Sequence, residues 1–148
     1  MSSKEPNQND LDRQYRTMMV LWLAFLSTIG VYLFLSFVLP PHEGTAGKLL
    51  PIVFSAASAF LVVVSFAVKQ TFLSRSVDLQ QPRLVTTGLI LAAAFCEAAA
   101  ILGLIDLLVV GDPYYLILIL LALAGLLLHY PRRSHLESAS FGKQSGLN

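Results

Sequence analysis

The stretch LVTTGLILAAAFCEAAAILGLIDLLVV, residues 84–110, carries a single glutamate, Glu97, at its centre. A helix of roughly 20 apolar residues crosses the hydrocarbon core of a bilayer, so this stretch predicts a transmembrane helix. Glu97 would then lie near the bilayer midplane, where a charged carboxylate costs on the order of 3 kcal/mol or more. Such residues usually face the interior of a helix bundle and mark a functional site. Burial favours the neutral form of a carboxyl group, so we expect Glu97 to be protonated.

The remaining sequence has the composition of a membrane protein. Hydrophobic residues make up 55% of the 148 residues and charged residues only 13%, whereas about a quarter of a soluble domain is charged. The fold class that we predict is all-α: a polytopic membrane protein whose four transmembrane helices cover residues 17–39, 49–68, 84–110 and 113–130. Pro51 falls in the first turn of the second helix. Asp112 and Pro113 are predicted to be the N-cap and the first residue of the fourth.

Basic residues predict the orientation of these helices. Only Lys48 falls in the loops on one side, and the other nine of the ten Lys and Arg fall in the N-terminal segment, the 69–83 loop and the C-terminal tail. Because Lys and Arg concentrate on the cytoplasmic side, we expect both termini inside, in the inner (cytoplasmic) membrane of the cell. Residues 1–16 would form a polar cytoplasmic segment, and residues 131–148 a flexible cytoplasmic tail.

Several classes of function are not supported by any sequence pattern. The chain has no nucleotide-binding glycine loop, no zinc-protease motif and no basic aromatic patch for nucleic acid. The lone cysteine, Cys96, excludes an intramolecular disulfide, and the three histidines are scattered in the sequence. We therefore predict neither an enzyme nor a bound cofactor or metal. The expected surroundings are the lipid bilayer, with the chain acting as a homo-oligomer or within a larger membrane complex.

The surroundings of Glu97 predict how the third helix packs. Gly88, Ala92, Cys96 and Ala100 recur every four residues, and such a stripe of small side chains lets helix backbones approach closely in a membrane. The second helix offers small and polar residues at a similar depth. We expect Glu97 to be buried and hydrogen-bonded near Ser55 or Ser58, or to a neighbouring protomer, with Cys96 as a packing residue beside it.

Asp106 is the second acid of the third run. Nine residues separate it from Glu97, so it points to the opposite face of a helix and the two cannot form a carboxylate pair. We expect Asp106 to be a solvated acid at the end of the helix, the alternative being an entry point for protons from outside.

The segment AFCEAAAILGL, residues 94–104, together with Gln81-Pro82-Arg83 ahead of its helix, resembles the second helix of the proteolipid c subunit of rotary ATP synthases. That resemblance implies a helical hairpin, formed here by the second and third helices, with Glu97 as the residue that carries the proton. The corresponding first helix lacks the run of alternating glycines of that family, and a further helix precedes and follows the hairpin. As a whole, the chain is similar to small bacterial membrane proteins that have a c-like acidic segment.

Two hypotheses of function follow from these patterns. In the first, Glu97 binds a proton or cation, and the chain is a c-like component or an accessory of a larger membrane complex. In the second, the chain is a structural or assembly protein in which a protonated Glu97 only links helices by a hydrogen bond, worth roughly 0.6–2 kcal/mol.

The predicted topology can be tested by cysteine labelling in a Cys96→Ala background. We expect a membrane-impermeant thiol reagent to label Thr45→Cys from outside the cell and Arg75→Cys only from the cytoplasmic side. Labelling of position 45 from the cytoplasm, or of position 75 from outside, would contradict the assignment.

Overall fold

A computed structural model describes residues 8–40, 47, 49–111 and 113–141, and every secondary-structure element in them is helical. The elements are the long helices α1 (Gln8–Val38), α2 (Leu49–Leu79) and α3 (Pro82–Ile105), a π-helical turn (Asp106–Val110), and the shorter helices α4 (Tyr115–Leu128) and α5 (Arg133–Phe141). Asp112, the predicted N-cap, lies outside the described residues, as do Lys48 and residue 45 of the labelling experiment. Pro113 lies in a turn before α4 begins.

Three helices are long and apolar enough to cross a membrane, namely α1, α2 and the stretch Pro82–Val110. The 14 residues of α4 extend only about 21 Å, which is short of a bilayer core. Helix α4 meets α5 at an angle of 48°, and the two pass the same test of length and composition only when taken together. The architecture is thus that of a membrane protein with three such helices, or four if the bent pair is one span.

Helix α2 extends far beyond the predicted boundary at residue 68. Residues 69–79, which the sequence led us to place in a polar loop, continue the helix for three more turns. The connection to α3 is only Gln80 and Gln81, and Gln80 has a positive φ of 49°. Because the polar segment carries good helix formers and no proline before Pro82, it continues α2 rather than interrupting it.

The first part of the C-terminal tail is folded. Residues 133–141 form α5, and the side chains of Leu136 and Ala139 are fully buried. They join a cluster with Leu11, Met18 and Leu89 of α1 and α3. The expectation of a flexible tail from residue 131 therefore does not hold for α5, because its apolar face covers the ends of the long helices.

Helix α3 lies against each of the other long helices. Its small residues Gly88, Ala92, Cys96 and Ala100, which the sequence placed in one stripe, are all buried. A methyl group added to Gly88 would meet Cβ of Phe72 on α2 at 2.6 Å. One added to Gly103 would meet Ile119 on α4 at 2.8 Å. The backbone of α3 thus approaches α2 and α4 at distances that only small side chains permit.

This packing generates a stability prediction with a matched control. Ala92→Leu and Ala100→Leu should each destabilise the protein in detergent, by about 1–3 kcal/mol, because a larger side chain forces neighbouring helices apart. Ala94→Leu makes the same change on the exposed face of α3 and should leave the unfolding temperature nearly unchanged. Wild-type thermal stability of both buried-site variants would show that the stripe does not pack.

Candidate functional site

Glu97 lies near the middle of the helical stretch Pro82–Val110. Its neighbour Cys96 is completely buried, whereas Glu97 itself is half-buried on the side of α3 that also carries exposed Ala94 and Ile101. A step of one residue turns a helix by about 100°, so the two side chains face different surroundings. Glu97 therefore lies at the border between the packed face and the exposed face of α3.

The contact that Glu97 makes is with α1. The hydroxyl of Tyr32 donates to Oε1 of Glu97 across 3.5 Å, which is long beside the 2.5–3.0 Å usual for a hydrogen bond between two oxygens. A contact of this length is weak. Tyr32 was missed in the sequence, although it lies at a depth in the first apolar run comparable to that of Glu97 in the third.

The residues expected to support Glu97 have other partners. Ser58 is buried and donates to the backbone oxygen of Ala99 across 3.1 Å, and so links α2 to α3. Ser55 is half-buried on α2 and forms no hydrogen bond with Glu97 in the described part of the chain. Helix α2 faces Cys96 and Ala99 instead, because Glu97 is rotated toward α1. The expected pairing with Ser55 or Ser58 is therefore replaced by the contact with Tyr32.

Cys96 belongs to a second polar group. Its thiol lies 3.6 Å from Oγ of Ser65, and Ser65 lies 2.8 Å from Nε2 of His129. The Ser65 hydroxyl also donates to the backbone oxygen of Val62 at 2.6 Å. Ser65 therefore links Cys96 of α3 to His129 at the end of α4.

His129 is completely buried at the end of α4. Its ring packs on Phe66 with centroids 4.5 Å apart. The ring turns inward and joins the end of α4 to α2. The sequence offered two signals for this cluster, namely a serine inside one apolar run and a histidine near the end of another.

Asp106 differs from its predicted role. It was expected to be a solvated acid at the end of a helix, but it is completely buried. It begins the π-helical turn, and its backbone oxygen accepts from the N–H of Gly111, whose φ is 71°. The wider turn ends the helix inside the bundle and keeps the Asp106 side chain away from the surface.

No family model, no curated protein and no solved structure matches this chain.

The contact between Tyr32 and Glu97 predicts a measurable effect of removing one oxygen. Carbodiimides react with the neutral carboxylic acid, and a donated hydrogen bond stabilises the carboxylate. At a pH where part of Glu97 is ionised, Tyr32→Phe should therefore raise the rate at which a hydrophobic carbodiimide labels Glu97, by up to about twofold, because the long contact is worth less than one ordinary net hydrogen bond.

The control is Tyr115→Phe, which removes the same oxygen from a half-buried tyrosine of α4. Labelling can be followed by mass spectrometry of the peptide that contains Glu97. An unchanged rate in Tyr32→Phe would show that the hydroxyl does not act on the carboxyl group.

Proposed function

We propose that this chain is a multi-pass membrane protein that binds and releases a proton at Glu97 within the bilayer. The observation that carries the proposal is the position of Glu97 at mid-depth, where it is half-buried and where its hydrogen bond within the described part of the chain is a long one, to Tyr32. A carboxyl group that serves only to join helices is best placed between them with short hydrogen bonds, since an unsatisfied polar group in hydrocarbon is costly. Glu97 instead remains open to protons or to a partner subunit.

The surroundings favour a proton over a metal cation. The four predicted spans contain no Lys or Arg that could hold Glu97 charged, so the neutral acid is the stable form in the membrane. A bound cation would require several oxygen ligands, and the oxygen that contacts the carboxyl group is that of Tyr32. Sodium is the cation that would compete with the proton for Glu97.

We further propose that the protein lies in the inner membrane of its cell. It would cross this membrane four times, with both termini in the cytoplasm. The described ends of the chain support a common side, because Asp12 near the start of α1 forms an ion pair of 2.8 Å with Arg133 of α5. The run 113–130, which contains α4, would make the fourth passage, with the bend to α5 near the membrane surface. The distribution of Lys and Arg makes this side cytoplasmic.

The likeness that we propose to the ATP synthase c subunit concerns the proton-binding residue and not the assembly into a ring. Helices α2 and α3 would be the hairpin, and Glu97 on α3 the proton-carrying acid. Within one chain, however, Gly88 lies against α2, Gly103 against α4 and Glu97 beside Tyr32 of α1. Because α1, α2 and α4 of the same chain pack on α3, this helix suits an accessory or c-like component of a larger complex better than a rotor ring built from hairpins alone.

A structural or assembly function is the alternative. The hydrogen bond from Tyr32 to Glu97 joins α1 to α3, and this favours a carboxyl group that fixes one helix against another. In that case no proton need be exchanged, and an amide of the same size would serve as well.

The substitution Glu97→Gln separates the two functions. Glutamine keeps the size and much of the hydrogen bonding but cannot release a proton. If Glu97 exchanges protons, the variant should assemble like the wild type and fail to rescue the phenotype of a deletion strain, while Glu97→Asp should retain part of the activity. Full rescue by Glu97→Gln would support the structural function and end the proposal of a proton site.

Carbodiimide labelling adds a biochemical measurement on the purified chain. We expect labelling of Glu97 to decrease as the pH rises and to be unaffected by sodium. Protection by sodium at constant pH would replace the proton with a cation. Asp106→Asn is the matched control, because it removes a buried acid elsewhere on the same helical stretch and should leave the labelling of Glu97 unchanged.

A further inference from the structure

The bend between α4 and α5 is fixed against α2. His129, the last residue before the bend, is hydrogen-bonded to Ser65 at 2.8 Å and packs on Phe66. Lys69 follows Ser65 by four residues, and therefore lies one turn further along the same side of α2. The chain that leaves His129 thus passes beside Lys69.

This arrangement gathers cations from α2, α5 and the bend between α4 and α5. Lys69 and His135 are half-buried, whereas Arg132, which follows the buried Pro131 at the bend, is exposed. The positive charge of Arg132 acts on Lys69, and those of Lys69 and Arg132 both act on His135. Lys69 also acts on the neighbouring His129. The group of Lys69, Arg132 and His135 is here called the basic cluster.

Two of the carboxylates at this end of the bundle pair with a different arginine. Arg133 forms ion pairs with Asp12 at 2.8 Å and with Glu137 at 3.2 Å. Within the described part of the chain, the cations of the basic cluster lie close enough to act on one another. Holding like charges together while partly removing them from water is unfavourable, and an anion bound among them would offset that cost.

The position of the basic cluster indicates the source of such an anion. Lys69 directly follows the apolar run 49–68, and Arg132 comes two residues after the run 113–130. Both side chains therefore lie where helices leave the hydrocarbon core and meet the lipid headgroups. Basic groups between helices at this level are suited to anionic headgroups.

We propose that Lys69, Arg132 and His135 bind the phosphate group of an anionic phospholipid at the junction of α2, α4 and α5. The Lys ammonium supplies a point charge, the Arg guanidinium can donate two parallel hydrogen bonds to phosphate, and the His imidazole adds a donor. A free phosphate has the same chemistry, and the experiment distinguishes the two sources.

Native mass spectrometry of the purified full-length chain can measure the affinity for phosphatidylglycerol relative to phosphatidylcholine. We expect the wild type to bind the anionic lipid more tightly than phosphatidylcholine. In the double variant Lys69→Gln/Arg132→Gln, the ratio of the two affinities should fall by about fivefold for each cation removed. The matched control is Arg75→Gln/Arg83→Gln, which removes two exposed cations from α2 and α3 at the same end of the bundle. This control should keep the wild-type preference.

Two further measurements make the result decisive. Lys69→Arg/Arg132→Lys keeps both charges and should keep most of the preference, and single Lys69→Gln serves if the double variant fails to fold. Inorganic phosphate should not displace the lipid from the wild type at millimolar concentration; displacement would overturn the lipid as the source. Equal binding of the two lipids by the wild type, or the same loss in the control variant, would overturn the proposal.

Discussion

The close approach of α3 to its neighbours is the constraint on which the rest of the bundle depends. In a membrane, lipid tails are as apolar as leucine, so helices associate through close packing and hydrogen bonds rather than through the hydrophobic effect. Gly88 meets Phe72 of α2, and Gly103 meets Ile119 of α4, at distances that exclude an added methyl group. Gly125 of α4 in turn lies against Cys96 and Val62. Small side chains at these points bring α2, α3 and α4 close together.

Hydrogen bonds between helices occur where this packing brings polar groups close together. Ser58 donates to Ala99 of α3, and the indole N–H of Trp22 donates to the backbone oxygen of Leu126 at 3.0 Å. Leu126 is in the last turn of α4, and its backbone oxygen also accepts from the N–H of His129 at 3.0 Å. Glu97 contrasts with these groups, since its contact is longer and its side chain is half-buried. The difference separates the groups that hold the bundle together from the one at which we propose proton exchange.

The end of the bundle that carries α5 has an organisation of its own. Helices α1 and α2 each have 31 residues and extend about 46 Å, well beyond a hydrocarbon core of about 30 Å. Gln14 of α1 donates to the backbone oxygen of Pro82 and to the hydroxyl of Thr86. These contacts join the start of α3 to the N-terminal part of α1. Leu136 and Ala139 of α5 cover the apolar residues beneath. The result is a folded cap beside the basic cluster.

The apolar runs, their approximate depth and the small-residue stripe of α3 can be predicted from the sequence, because length, hydropathy and a repeat of four residues are local properties. Glu97 is also evident as a candidate site residue, since an acid in the middle of an apolar run needs no fold to be noticed. The partner of Glu97, in contrast, depends on the tertiary structure, because Tyr32 is 65 residues away and the rotation of α1 depends on all its contacts. The same holds for Asp106, whose burial follows from a π-helical turn, and for His129, which is turned inward by Ser65 and Phe66. Helix α5 was hidden for a related reason: its polar composition resembles a flexible tail, and its few apolar residues stabilise a helix only when α1 and α3 cover them.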